Sequence, residues 1–219
     1  MALTVPVDRA RPAFLDSVTS FVDAVGALDE LALLEASRCR GWTRLDVVVH
    51  VLTGWQEVLA GLVSPVDDPP TVDAASFWTA FADAADADEV AVLMAQRRRS
   101  AAYARPSAAV EHLRDVAGSV RRGTAAAASG DRRWLGEVFD VGDFLATWAV
   151  EDAVHQLDLR CAGPVPPDAL ALARETVEAL AGRALPTDDH VEAVLVGTGR
   201  LGAPVGWGED LRGRLPALG

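Results

Sequence analysis

Long alternations of Val, Ile, Thr and Tyr, the signature of half-buried strands, are missing from this chain, and alanine is abundant. That absence commits the chain to helices. Helical segments are predicted from Pro12 to Leu34 with a break near Gly26, from Thr43 to Leu62, at Ala74–Ala84, at Asp88–Tyr103, from Pro106 to Arg122 and from Asp140 to Cys161. Thr43 followed by Asp46 reads as a capping box, and Asp140 with Asp143 three residues on marks another helix start. Ser37–Trp42 is read as a turn, and Ser64–Pro70 and the stretch around Trp134 as loops. Ala162–Pro167 is the clearest linker, and two shorter helical stretches follow at Asp168–Arg183 and Asp189–Val196. The last 20 residues, rich in Gly and Pro, are expected to be irregular. The expectation is an all-α fold: a bundle of four main helices over residues 1–163, with a short helical appendage, 164–219, packed on it.

Charge narrows the partners. With 20 basic and 32 acidic side chains the net charge is −12, which opposes phosphate backbones and anionic membrane surfaces. Every basic residue is Arg, so Schiff-base lysine chemistry and the phosphate-binding loop are excluded. Cys39 and Cys161 stand far apart, which excludes a disulfide framework, and neither lies in a C-x-x-C pair. The N-terminus lacks a charged-then-apolar pattern and no apolar run reaches 18 residues, so the expected location is the cytoplasm, with no membrane or nucleic-acid partner.

The chemistry concentrates on the Asp140–Cys161 helix. On a helical wheel Phe144, Trp148, Val150, Val154, Leu157 and Cys161 make an apolar face, with Asp152, Gln156 and Arg160 opposite. Glu151, His155 and Asp158 fall within the apolar face, where ionised groups are costly unless paired or coordinated. Glu151 and His155, at i and i+4, converge on one point, a spacing that suits a first-row metal as well as a hydrogen-bonded core cluster. A third ligand must come from elsewhere, and His50 is the candidate. It lies off the apolar face of its helix, on a stripe with Asp46, Thr53 and Glu57, next to Gly54, whose missing side chain would leave room for a ligand at the rim of a cleft.

Trp42, Thr43, Asp46 and His50, followed by Gly54 and Trp55, resemble the second-helix motif of the DinB-like metal-binding superfamily. More narrowly, they resemble the N-terminal domain of mycothiol-dependent maleylpyruvate isomerases. Trp148, Glu151, Asp152, His155 and Asp158 resemble that family's second metal-binding helix. The resemblance spans roughly residues 8–165. It implies a four-helix bundle holding a divalent metal, zinc or alternatively nickel, on His50, Glu151 and His155. It further implies a metal-activated mycothiol thiolate acting on a small-molecule substrate, as a transferase or isomerase. Asp158 would orient a ligand from behind, and Asp46 either caps its helix or does the same for His50.

Gly197–Gly202 spells G-x-G-x-x-G, but too little chain follows for a dinucleotide fold, and it is read as a helix end and turn. Its Thr198-Gly199-Arg200 resembles a segment of the isomerases in which an Arg handles substrate, which makes Arg200 a candidate. The larger C-terminal domain of those relatives is expected to be shortened or absent. His112, His190 and Arg97–Arg99 read as structural or exposed, and Cys39 as an ordinary thiol. Two other functions remain open at this point. One is a non-catalytic bundle working through small-molecule binding or a homodimer of its Ala-rich helices. The other is a hydrolase using a metal-bound hydroxide.

Overall fold

The computed structural model describes residues 1–84, 88–161 and 163–218. Ala162, the first residue of the expected linker, lies outside them. The helices are α1 (Val7–Gly26), α2 (Glu30–Leu33), α3 (Arg44–Leu62), α4 (Ser76–Ala84), α5 (Glu89–Ala101), α6 (Pro106–Ala126), α7 (Val141–Asp158), α8 (Pro167–Ala181), α9 (His190–Gly197) and α10 (Glu209–Arg212). Three short strands, β1 (Pro65–Val66), β2 (Asp131–Trp134) and β3 (Glu137–Asp140), complete the described elements.

Four long helices, α1, α3, α6 and α7, close the bundle: α1 packs on α7 and α6, and α3 on α6 and α7. The α1 helix starts five residues before the expected Pro12, because its buried stripe of Ala10, Ala13, Phe14, Ser17, Val18 and Phe21 runs through the proline at helical spacing. At the α3 start the Thr43 side chain accepts from Asp46 N and the Asp46 carboxylate accepts from Thr43 N, so both partners of the capping box are present. This helix is long and apolar enough to cross a bilayer by composition alone, yet Val47, Val48, Val51, Trp55 and Val58 are buried in the bundle.

The expected loops at residues 64–70 and around Trp134 instead hold an antiparallel sheet in the order β1-β2-β3. Asp131 pairs with Asp140 and Trp134 with Glu137. Leu135 (φ 49°) and Gly136 (φ 86°) make the two-residue turn between β2 and β3, with the left-handed backbone that matches strand twist. No Asn-Gly announces it, and four-residue strands are too short for alternation to show.

The wheel misplaces the polar side of α7. This helix touches α1, α3, α8, α9 and the sheet, so most of its surface is covered and only the side toward the cavity stays open. Asp152, expected to face outward, is 1% exposed and accepts from Ser17 Oγ of α1 (2.8 Å) and Trp55 Nε1 of α3 (2.9 Å), tying three bundle helices at one carboxyl group. Gln156 is likewise buried, donating to Ser20 Oγ and Pro164 O. The C-terminal region packs on the bundle through α8 against α7 and α1. Its final residues are irregular apart from α10 and a 3-10 turn at Val205–Trp207, and Ala217 N and Leu218 N donate to Gly197 O, which ties the tail to the end of α9.

Candidate metal centre

The α3 and α7 helices bring His50, Glu151 and His155 together. Glu151 Oε1 lies 2.9 Å from His50 Nε2 and 3.1 Å from His155 Nε2. The two imidazole centroids are 4.7 Å apart at 74°. One ligand atom from each residue can be chosen so that all lie within 4.8 Å of one another, the requirement for a shared ion. His155 is buried, while the His50 side chain keeps 34% exposure, the rim position expected from its place off the apolar stripe. Trp42 packs edge-on against the His50 ring at 5.2 Å.

Behind His155 stands Asp158, at 0% exposure. Its Oδ2 lies 3.1 Å from His155 Nδ1, and Arg200 Nη2 and Nε donate to its two oxygens at 3.0 and 3.2 Å. Besides His155, one turn away on the same helix, this carboxylate has two partners distant in sequence among the described residues, Arg200 and the Cys39 thiol, whose Sγ is 3.0 Å from Oδ2. Burial alone would raise the Asp158 carboxyl, but hydrogen bonds from His155 and the Arg200 guanidinium hold it far below the usual carboxylate range. Glu151 behaves the same way: burial opposes its charge, and His155 first, then His50, keep it well below its ordinary value. Burial would lower His155, but Glu151 and Asp158 on its two ring nitrogens hold it well above the usual imidazole range. Burial also pushes Asp152, one residue from Glu151 but facing the core, up to about 7.

Among the remaining expectations, Asp46 is committed to Thr43 and does not reach His50. Gly54 borders the cavity beside His50, and a Cβ there would come within 2.7 Å of the Trp148 ring, so the glycine also admits the indole. His112 Nδ1 lies 2.9 Å from the Tyr103 hydroxyl and His190 opens α9, both away from the centre. Gly197–Gly202 is a helix end, with Gly199 at φ 72° and Leu201 N bonded to Leu195 O, and it aims Arg200 at Asp158.

A cavity of about 520 Å³ opens onto the triad, bordered by His50, Glu151, His155 and Arg200. One wall is aromatic: Phe81, Phe77, Trp134 and Trp148 follow one another at centroid separations of 5.7, 5.1 and 4.8 Å. Arg99 of α5 and the tail residues Ala217 and Leu218 also border it. Sequence reasoning missed this wall, Arg99 and the Cys39 contact. The wall is built from α4, β2 and α7, and no pattern in the sequence connects these segments.

The donor set fits a divalent metal. Two neutral imidazoles and one carboxylate are the ligands of catalytic zinc sites with an open position, and Asp158 behind His155 supplies the hydrogen bond that fixes a ligating imidazole. The open side faces the cavity.

The sequence matches the family described as the mycothiol maleylpyruvate isomerase N-terminal domain over residues 14–160. No protein of curated function matches it. Among solved structures, the crystal structure of a histidine-to-alanine mutant of the mycothiol-dependent maleylpyruvate isomerase superimposes with a TM-score of 0.61 at 13% identity, over 90% of this chain and 90% of that one. An identity that low speaks to the fold alone. About a tenth of that chain's length has no counterpart here.

Proposed function

The chain belongs to the mycothiol maleylpyruvate isomerase N-terminal domain family, and from that premise we propose that it is a metal-dependent enzyme of thiol chemistry. In this reading His50 Nε2, Glu151 and His155 Nε2 hold a divalent ion, zinc by its preference for this donor set, with nickel as the alternative. Mycothiol is the thiol cofactor, and the reaction is a transfer or isomerisation on a small molecule. The observation that carries the reading is the convergence of three donor atoms on the floor of a cavity large enough for a small ligand.

The ion, when bound, would supply the Lewis acidity that favours the thiolate form of a thiol brought to it. The chain's own residues prepare the site. Asp158 holds the His155 proton at Nδ1, which leaves Nε2 free to ligate and fixes the ring. Arg200 in turn anchors Asp158 through two bonds. With both imidazoles neutral, Glu151 and Asp158 against Arg200 leave a single negative charge in the cluster. That residual charge would favour a divalent cation held by these residues. The aromatic wall and the tail residues Ala217 and Leu218 border the cavity on which the triad opens, and apolar lining of this kind strengthens charge interactions beside it.

The protein purified without chelator is expected to carry about one zinc per chain, lost in His50→Ala and Glu151→Gln, and to bind mycothiol in a calorimeter only when metal is present. A folded, metal-free protein whose melting temperature does not respond to added zinc overturns the proposal.

A further inference from the structure

The cavity that opens on the triad has a chemistry of its own. Along one wall of it, ring contacts run unbroken from α4 to α7 through Phe81, Phe77, Trp134 and Trp148. Trp134 is held in this row by a hydrogen bond from its Nε1 to Glu57 Oε2 (3.3 Å), so the wall has a fixed orientation. The ring faces carry partial negative charge, and together they favour planar apolar groups over carboxylates.

The cations around the cavity are few, and they are not equivalent. Arg200 is already neutralised by its two bonds to the buried Asp158. Arg99, at the exposed end of α5, donates only to the neutral Gln96 Oε1 (3.2 Å), and among the described residues no carboxylate pairs with it. Glu57 and Glu151 add negative charge to the same cavity. A short dicarboxylate would need two cations within a few ångströms of each other, and among the described residues the cavity offers one uncommitted guanidinium.

We propose that the substrate is an aryl-bearing or similarly planar apolar electrophile with a single acidic group, rather than a short dicarboxylate. The ring lies on the Phe77–Trp134–Trp148 wall, and the acidic group meets Arg99. This names the substrate class of the site and rests on the thiol chemistry proposed above. The matching reaction is conjugate addition to an activated alkene: the thiol sulfur forms a bond to the β-carbon and the alkene's π pair shifts to the α-carbon. That carbon takes up the proton released by the thiol, with no net oxidation or reduction.

The test is calorimetric binding of 3-phenylpropanoate and of succinate to the zinc-loaded protein and to the chelator-treated protein. Phenylpropanoate is expected to bind at least about tenfold more tightly than succinate in both forms, since the preference arises in the wall and not at the ion. Phe81→Ala, at the exposed end of the wall, and Trp134→Leu are each expected to weaken phenylpropanoate several-fold and leave succinate unchanged. Arg99→Met is expected to weaken phenylpropanoate a few-fold, the size of a solvent-exposed ion pair. Succinate binding as tightly as phenylpropanoate, no phenylpropanoate binding at millimolar concentration, or indifference to both wall variants overturns the proposal. Indifference to Arg99→Met overturns the placement of the acidic group. A preference for phenylpropanoate in a protein that binds neither zinc nor mycothiol upholds the cavity's selectivity while removing the thiol chemistry, so the two failures are separable.

Discussion

Asp143→Asn should make this protein more stable at neutral pH and leave it unchanged in acid. Asp143 sits in the first turn of α7 at 3% exposure, and its Oδ1 accepts from Val5 N at 2.6 Å, which holds the chain's N-terminal segment against the helix. Burial, only partly offset by that hydrogen bond, pushes its carboxyl up to about 6 from an ordinary value of 3.8. The folded state thus binds this proton more tightly than the unfolded state does. Its contribution to stability is fully present below about pH 4 and is lost as pH rises through about 6. The gap between the two values corresponds to about 3 kcal/mol, and the helix N-terminus, which favours the anion by up to about 1 kcal/mol, brings the expected cost of ionisation to about 2 kcal/mol. Asparagine keeps the Oδ1 acceptor for Val5 N and removes the titration. Urea unfolding of both proteins from pH 4 to pH 8 should therefore show equal stability at the acid end and a gain of about 2 kcal/mol for the variant above pH 7. A difference that stays constant across the range, or a loss at neutral pH, refutes the argument that desolvation dominates at this carboxyl.

Asp158→Asn keeps the shape but removes the charge behind His155, and metal affinity measured against a chromogenic chelator should fall about 10- to 100-fold. Asp152→Ala strips the acceptor from Ser17 and Trp55 in the core, and chemical denaturation should register a loss of about 3 kcal/mol without a change in metal stoichiometry. Gly142→Ala places a Cβ 2.1 Å from the Val5 carbonyl oxygen, backbone that cannot swing aside, so its melting temperature should drop far more than that of Gly206→Ala, where nothing lies within 4 Å. Held well above the usual imidazole range by Glu151 and Asp158, His155 must give up its Nε2 proton to ligate, so zinc affinity should already weaken as pH falls from about 9 to about 6, and a flat profile across that range would rule out ligation by His155.

The helices were legible because their determinants are local. The Thr43–Asp46 box, the Asp140 cap and the apolar spacing of α1, α3, α6 and α7 act within a few residues of chain. The small sheet was not, since four-residue strands and a Leu135-Gly136 turn carry almost no local signal and are held by pairing across the chain. The α7 wheel was right about the cost of Glu151, His155 and Asp158 on one stripe and wrong about Asp152 and Gln156. A wheel assumes that the polar side is the wet one, and in a helix covered by α1, α3, α8, α9 and the sheet the side of Asp152 and Gln156 is buried while the cavity opens beside Glu151.

By itself the sequence determined a helical bundle and two segments that carry candidate ligands, since periodicity, capping and the spacing of Glu151 and His155 are properties of single helices. Only the tertiary structure decided what those segments do to one another. It set His50 Nε2 against Glu151, placed Arg200 from beyond α9 on Asp158, and gathered Phe77, Trp134 and Trp148 from separate elements into one wall. Such contacts join residues far apart along the chain, and their geometry follows from how whole helices pack. The pattern within one segment carries the cost of burying a charge, but not the identity of the partner that offsets it.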